Sequence, residues 1–177
     1  MESWITYDDW LIDHGNATND EKNNGIVIIA LSEDVKDIKP VTLSSLKYKQ
    51  VIGKRVATVG WGSINETVNV YPDSLMKGYM TVISYDEYKE ISMKTSTRSF
   101  THSHSIYYTL ASPTVALGYG DSGGPLVVIS DNSLVGVAVG IFKPPLISSD
   151  VPVISCFISV DYYRHYIMDV IKEAYTM

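Results

Sequence analysis

Cysteine is almost missing from this chain: Cys156 is the only one. No intrachain disulfide can form, so the fold must rest on a packed core rather than covalent staples. Basic residues are few, with 14 Lys and Arg against 20 Asp and Glu, a net charge of −6. The cations form no patch or stripe, which excludes a nucleic-acid partner and leaves the negative charge a role in solubility. Long apolar runs are absent as well. The longest, Leu134 to Phe142, is closed by Lys143-Pro144-Pro145 and falls well short of the roughly 18 residues a membrane span requires, so no membrane partner is expected. Residues Met1 to Asp9 carry neither the basic nor the apolar region of a secretory signal. Histidine numbers four; His102 and His104 lie close together in an exposed loop without a third ligand, so no metal is expected, and no cofactor motif is present.

What remains is enough for a core. Hydrophobic residues make up 45% of 177 positions, suitable for one domain or two small ones. Short apolar runs separated by turn residues dominate: Gly25 to Leu31, Arg55 to Gly60, Tyr79 to Ile83, Ile106 to Leu110, Leu126 to Ile129 and Leu134 to Phe142. These predict β-strands. Cys156 lies in a further alternating strand, where it reads as a small buried apolar residue. One helix is expected at the C-terminus. Asp161 can cap it, and Tyr163, Ile167, Val170, Ile171 and Ala174 recur at helical spacing on a face suited to a barrel wall. Thr42 to Gln50 is polar and reads as a crossover between lobes, whereas Lys94 to Ser105 reads as an exposed loop.

The chemistry concentrates in Gly120-Asp121-Ser122-Gly123-Gly124-Pro125-Leu126. Small residues around Ser122 let the backbone turn tightly, so that the N–H groups of Gly120 and Ser122 converge where an oxyanion would form. A Gly-rich serine loop can also be a plain turn, but here it runs directly into the apolar strand Leu126 to Ile129. The segment resembles the nucleophile loop of the chymotrypsin/trypsin family of serine peptidases. Asp37 to Leu43, Val59-Gly60-Trp61-Gly62, Ser74 to Gly78, Leu134 to Val137 and Phe157 to Ile171 resemble further segments of that family in the same order.

The resemblance implies an all-β fold: a trypsin-like antiparallel β-barrel, with the second barrel complete and the first only partial, and a C-terminal α-helix. Residues 1–48 would be the remnant of the first barrel and 49–177 the second barrel with its helix. The family's active-site histidine belongs upstream of Gly25 to Leu31, ahead of the first residue here. Where family members carry the triad aspartate, this chain has Gly25. The family's Ser-Trp-Gly strand reads Val139-Gly140-Ile141. His14 corresponds to a structural histidine of the family, and a register recruiting Asp20 or Glu21 would insert Lys22-Asn23-Asn24 ahead of the apolar strand. His165 belongs to the terminal helix.

A serine hydroxyl needs an adjacent base to act as a nucleophile at neutral pH, and the family's histidine, oriented by its aspartate, is that base. Loss of the base costs on the order of a millionfold in kcat, about 8 kcal/mol. Carried over residue by residue, the resemblance makes Ser122 the nucleophile, Gly120 an oxyanion N–H donor and Asp121 the support of the oxyanion loop. In the family that aspartate pairs with an N-terminal ammonium released by cleavage; no Ile-Val-Gly-Gly start is present, so the hole is expected to lose its order. Ala116 matches the base of the specificity pocket, with Ile141 and Ser155 on its walls. These residues disfavour Lys or Arg and point to small or apolar side chains. Gly118 replaces a customary cysteine.

Three functional readings stand. The first is an inactive peptidase homologue, a pseudoenzyme that binds a polypeptide substrate or protein partner. The second is the C-terminal portion of an active serine endopeptidase whose proteolysis depends on a missing histidine lobe. The third is a structural β-protein without cleft chemistry. Extracellular localisation is compatible with the family and with the sequons at Asn16 and Asn65, though no leader or disulfide supports it. The oligomeric state is open.

Overall fold

In the computed structural model, the described residues are 3–15, 25–65, 70–93, 104–111, 115–142 and 152–174. The Asn16 sequon, Thr67 of the second, Asp20, Glu21, His102, the Lys143-Pro144-Pro145 break and nearly all of the Lys94–Ser105 loop lie outside them.

Period-two alternation in the middle of the chain closes a barrel. In order come α2 (Tyr48–Val51), β3 (Arg55–Gly60), β4 (Met76–Ile83), α3 (Tyr85–Met93), β5 (Ile106–Ala111), β6 (Pro125–Val128), β7 (Leu134–Phe142) and β8 (Ile154–Ser159), preceded by β1 (Ser3–Thr6), α1 (Tyr7–Asp13) and β2 (Val27–Ala30), and followed by α4 (Arg164–Ala174). Strands β3, β4, β5, β8, β7 and β6 form a closed antiparallel ring in that spatial order, with β6 returning to β3. The inward positions alternate along each strand: Val56, Met80, Val82, Tyr107, Leu126, Val128, Val135 and Phe157 are all buried. Each such side chain contributes roughly 1.5–3 kcal/mol of burial. The closed ring leaves no exposed sheet edge around most of its circumference.

A contact-based division gives two compact units, 1–40 with 163–177 and 41–162. Residues 42–48 fall in the second unit and are tied to the barrel. Leu134 N donates to Thr42 O at 2.8 Å, Ser44 N donates to Leu134 O at 2.9 Å, and the Tyr48 ring stacks on Tyr107 at 5.0 Å. The first unit includes the C-terminal helix. There, Tyr7 packs edge-on against Tyr163 at 4.7 Å and Tyr166 at 5.4 Å, Trp10 Nε1 donates to Asp169 at 3.1 Å, and the Tyr166 hydroxyl donates to Ile5 O. Within the same unit β1 and β2 make a two-stranded antiparallel sheet, an incomplete barrel, with Trp4 opposite Ile29 and Thr6 opposite Val27.

Beyond the one helix expected from sequence, three more are present. α1 starts at Thr6, whose hydroxyl accepts from Asp9 N at 3.0 Å. α3 starts at Ser84 in a reciprocal capping box: Glu87 N donates to Ser84 Oγ at 3.1 Å and Ser84 N donates to Glu87 Oε2 at 2.7 Å. Asp161 directs its carboxylate to α2, accepting from Tyr48 N at 3.0 Å and Lys47 Nζ at 3.1 Å. It serves a helix more than a hundred residues upstream as well as standing before α4. No helix among the described residues is long and apolar enough to cross a membrane.

Candidate active site

The turn that delivers Ser122 is pinned on both sides before β6 begins. Gly124 N donates to Asp121 O at 3.0 Å, Gly123 N donates to Ala138 O at 2.8 Å, and Ala138 N returns to Gly124 O at 2.8 Å. Gly120 sits at φ +98, a conformation a side chain would strain. Ser122 is left exposed at the tip of the turn. Among the described residues, the N–H groups of Gly120 and Ser122 meet no protein acceptor, so both donors are available to an incoming oxygen.

Asp121 is not orphaned. Its Oδ1 accepts from Gly62 N at 2.8 Å and its Oδ2 from Gly118 N at 2.8 Å. The carboxylate lies so close to the strand end that a Cβ at Gly60 or Gly62 would overlap it. Two backbone donors therefore satisfy the Asp121 carboxylate and anchor the loop through Gly62 and Gly118. Sequence reading took Gly60-Trp61-Gly62 as a strand marker; the flanking glycines were the signal of the close approach.

Beside Ser122 lies a cavity of about 390 Å³ lined by Leu117, Gly118, Tyr119, Gly120, Ser122, Val139, Gly140 and Ile141. Ile141 stands on its wall. Ala116 is exposed and outside the lining. Ser155 is buried, and its hydroxyl accepts from Leu117 N at 3.1 Å; it supports the segment that lines the cavity instead of facing into it. Tyr119 and Leu117, on either side of Gly118, are lining residues that sequence reading passed over. No side chain in the lining carries a charge.

Among the described residues no base, nor any other group, is hydrogen-bonded to Ser122 Oγ. His14 lies 3.1 Å from Asp169 through Nε2 and 2.9 Å from Trp10 O through Nδ1. His104 packs on the Tyr48 ring at 4.6 Å and His165 on Trp10 at 5.4 Å. Gly25 is exposed at φ +56 immediately before β2. Cys156 offers no substitute nucleophile, since burial pushes its thiol up to about 12. Among the described residues no group of three His, Cys, Asp or Glu side chains is placed to hold a metal.

The family model described as Trypsin matches residues 4–167. The chain belongs to the trypsin family. Solved structures similar to it include neuropsin, a serine protease expressed in the limbic system of mouse brain, at 21% identity and TM-score 0.64, covering 82% of this chain and 60% of that one. Two others are scabies mite inactivated protease paralogues. S-I1 is 25% identical with TM-score 0.60, covering 83% of this chain and 60% of its own. S-D1 is 29% identical with TM-score 0.63, covering 82% and 60%. The chain thus spans about 60% of the length of each. As a trypsin-family domain it carries the complete barrel with the serine loop, a partial second sheet and the C-terminal helix, without an intact catalytic triad among the described residues.

Proposed function

We propose that this chain is a trypsin-family homologue that binds polypeptide at the Ser122 cleft and does not turn it over. The observation that carries the reading is the isolation of Ser122, whose hydroxyl has no hydrogen-bond partner among the described residues; the family resemblance, which sets Gly25 at the place of the triad aspartate, agrees with it. A serine without a base retains only what the oxyanion donors supply, roughly 10³–10⁴ over water. Binding needs no such base. Ser122 Oγ, the free N–H groups of Gly120 and Ser122, and the uncharged cavity form a receptor for a carbonyl and its small or apolar side chain, with Ile141 limiting the size accepted.

The backbone supports an extended ligand. β6 pairs with β7 only as far as Val137, and among the described residues Gly140 and Ile141 pair with β8. A polypeptide adding along the other side of Gly140 and Ile141 would gain main-chain hydrogen bonds and present alternate side chains to the cavity. The inactivated protease paralogues from the scabies mite give the pseudoenzyme reading a precedent in the same fold. An extracellular setting agrees with the family.

The second reading, the C-terminal part of an active endopeptidase, draws support from the shorter span relative to the solved relatives. A fluorophosphonate probe separates the two. Purified protein with a cooperative unfolding transition is expected to remain unlabelled on the timescale that saturates an active serine peptidase. Rapid labelling abolished by Ser122→Ala would overturn the inactive reading.

A further inference from the structure

One side of the two-stranded sheet in the first unit is apolar and uncovered. The register sets Trp4 opposite Ile29 and Thr6 opposite Val27, which puts these four residues on the same side of the sheet. Trp4 is 68% exposed, Ile29 56% and Val27 46%, and Leu31, which continues the alternation past the end of β2, is 60% exposed. The other side is occupied. Ile5 and Ile28 are half-buried, and the Tyr166 hydroxyl of α4 donates to Ile5 O. Both lateral edges of the sheet are also unpaired among the described residues. Natural sheets protect such strands with Lys, Pro or an inward-pointing charge. Here residues 3–6 and 27–31 read Ser-Trp-Ile-Thr and Val-Ile-Ile-Ala-Leu, with no charge and no proline.

We propose that this face is a homodimer interface, in which two copies of the chain lay their β1 and β2 sheets against each other about a twofold axis. Area and charge select a second copy as the occupant. Trp4, Val27, Ile29 and Leu31 together expose on the order of 450 Å², and a stable interface removes about 800 Å² per partner, a little over half of it apolar. The patch therefore supplies the whole apolar share. Its one polar member, the Thr6 hydroxyl, is already engaged with Asp9 at the start of α1, so closure strands no hydrogen-bonding side chain. A basic partner would find no carboxylate on this face to pair with, whereas a second copy presents the same apolar outline, and a twofold contact is self-complementary. Each Trp4 ring then packs over the Val27 and Ile29 side of the other copy. The pair becomes a four-stranded sandwich at the ~10 Å spacing of packed sheets, while a two-stranded sheet left alone is marginal in water. Both copies carry a net charge of −6, so long-range repulsion opposes association and the apolar contact must carry it.

Sedimentation equilibrium of the full chain from about 1 to about 200 µM tests this, a span that brackets micromolar association. The mass is expected to rise from 19.7 kDa to twice that value and stop there, because a twofold contact closes. Ile29→Lys or Val27→Lys should weaken the dimer by about a hundredfold or more, since each buries an unpaired ammonium. Trp4→Phe keeps the face apolar and should weaken it by about tenfold at most. Added NaCl should tighten the dimer by screening the like charges of the two copies. The lysine variants are read where they keep a cooperative melt; should neither fold, the Trp4 emission decides, taken as the difference between wild type and Trp4→Phe, and it should move to shorter wavelength as concentration rises. A monomer at every concentration, or a Trp4 emission that does not move, would refute the interface and leave the face to a different chain. Mass growing past two copies would refute the closed contact in favour of open-ended edge pairing, and a dimer untouched by both lysine variants would place the contact elsewhere and refute it as well.

Discussion

Asp121 and Gly62 meet across the serine loop as carboxylate and amide, Oδ1 to N at 2.8 Å, with no side chain able to stand between them. The same carboxylate takes the Gly118 amide, so one side chain joins the end of β3 to the segment that lines the cavity. Asp121→Asn would set an NH₂ donor against one of the two N–H donors. The expected cost is about 1–3 kcal/mol from the amide left unsatisfied, together with weaker peptide binding because the loop loses its anchor. Gly62→Ala should be at least as damaging, since its Cβ would overlap the carboxylate. Urea unfolding with peptide anisotropy on both variants checks this; wild-type stability and affinity would contradict it.

The capping box of α3 carries a pH dependence of definite sign. Hydrogen bonds from Ser84 backbone and hydroxyl hold the Glu87 carboxyl below its ordinary range. A carboxylate with a depressed folded value stabilises the native state above the unfolded range, about 4.3, and loses that contribution as the pH falls through the folded value. Glu87→Gln should therefore be destabilised relative to wild type at pH 7 and converge with it toward pH 2–3. Ser84→Ala removes the other half of the box and should cost about 1 kcal/mol. Thermal melts across that range give the comparison, and a Glu87→Gln difference that grows with acidification would refute the assignment.

Much of the barrel was legible because alternation is local. Val56 and Thr58, or Leu126 and Val128, face inward by position alone, and once one face is buried the register is fixed. Partnerships across long sequence separation were not legible. Asp161 reads as a cap for the helix that follows it, yet its carboxylate also meets Tyr48 N, 113 residues away. Asp121 looked partnerless because Gly62 and Gly118 offer only backbone N–H groups, which leave no trace in composition. The N-cap at Thr6 and the capping box at Ser84 are local patterns, but the helices they open are short, with Tyr88 and Trp10 among few buried positions. At the site, Ser122, Gly120 and Ile141 line one cavity, whereas the Ser155 hydroxyl is buried and accepts from Leu117 N.

Cys156 should be inert in the folded protein. It is half-buried against the cluster of Ile83, Tyr88, Tyr108 and Ile154, where the Tyr88 and Tyr108 rings stack at 3.7 Å, and burial holds its thiol up to about 12. At pH 8 the thiolate fraction is then far below that of a free thiol near 8.5, and even after allowing for its greater intrinsic nucleophilicity alkylation should be roughly a hundredfold slower. Iodoacetamide modification followed by mass spectrometry, native and in denaturant, measures the ratio. A raised folded value for a thiol also means that native stability falls as the pH rises above about 8.5. Alkylation of native protein at the denatured rate would show that the cluster opens readily.

The last expectation concerns the size of side chain accepted. Ile141 is the larger of the two β-branched residues of the cavity lining, with Val139, among Gly118, Gly120 and Gly140. A cavity of about 390 Å³ holds a small or medium apolar group, and a β-branched wall residue cannot swing aside, being restricted at χ1. Ile141→Gly should open the wall and shift preference from valine toward phenylalanine at the anchoring position, with a discrimination change of about 10–200-fold, the range that a few methylenes in an apolar pocket supply. The strand should lose about 1 kcal/mol from the glycine backbone alone and more from lost packing, so binding is compared only where the variant retains a cooperative melt. Lysine at the anchor should remain poor in both proteins, because the lining holds no carboxylate. Peptides differing only at that position settle the point: an unchanged valine preference in Ile141→Gly would mean that the wall does not measure the side chain, and strong lysine binding would mean that the recognised residue is seated elsewhere.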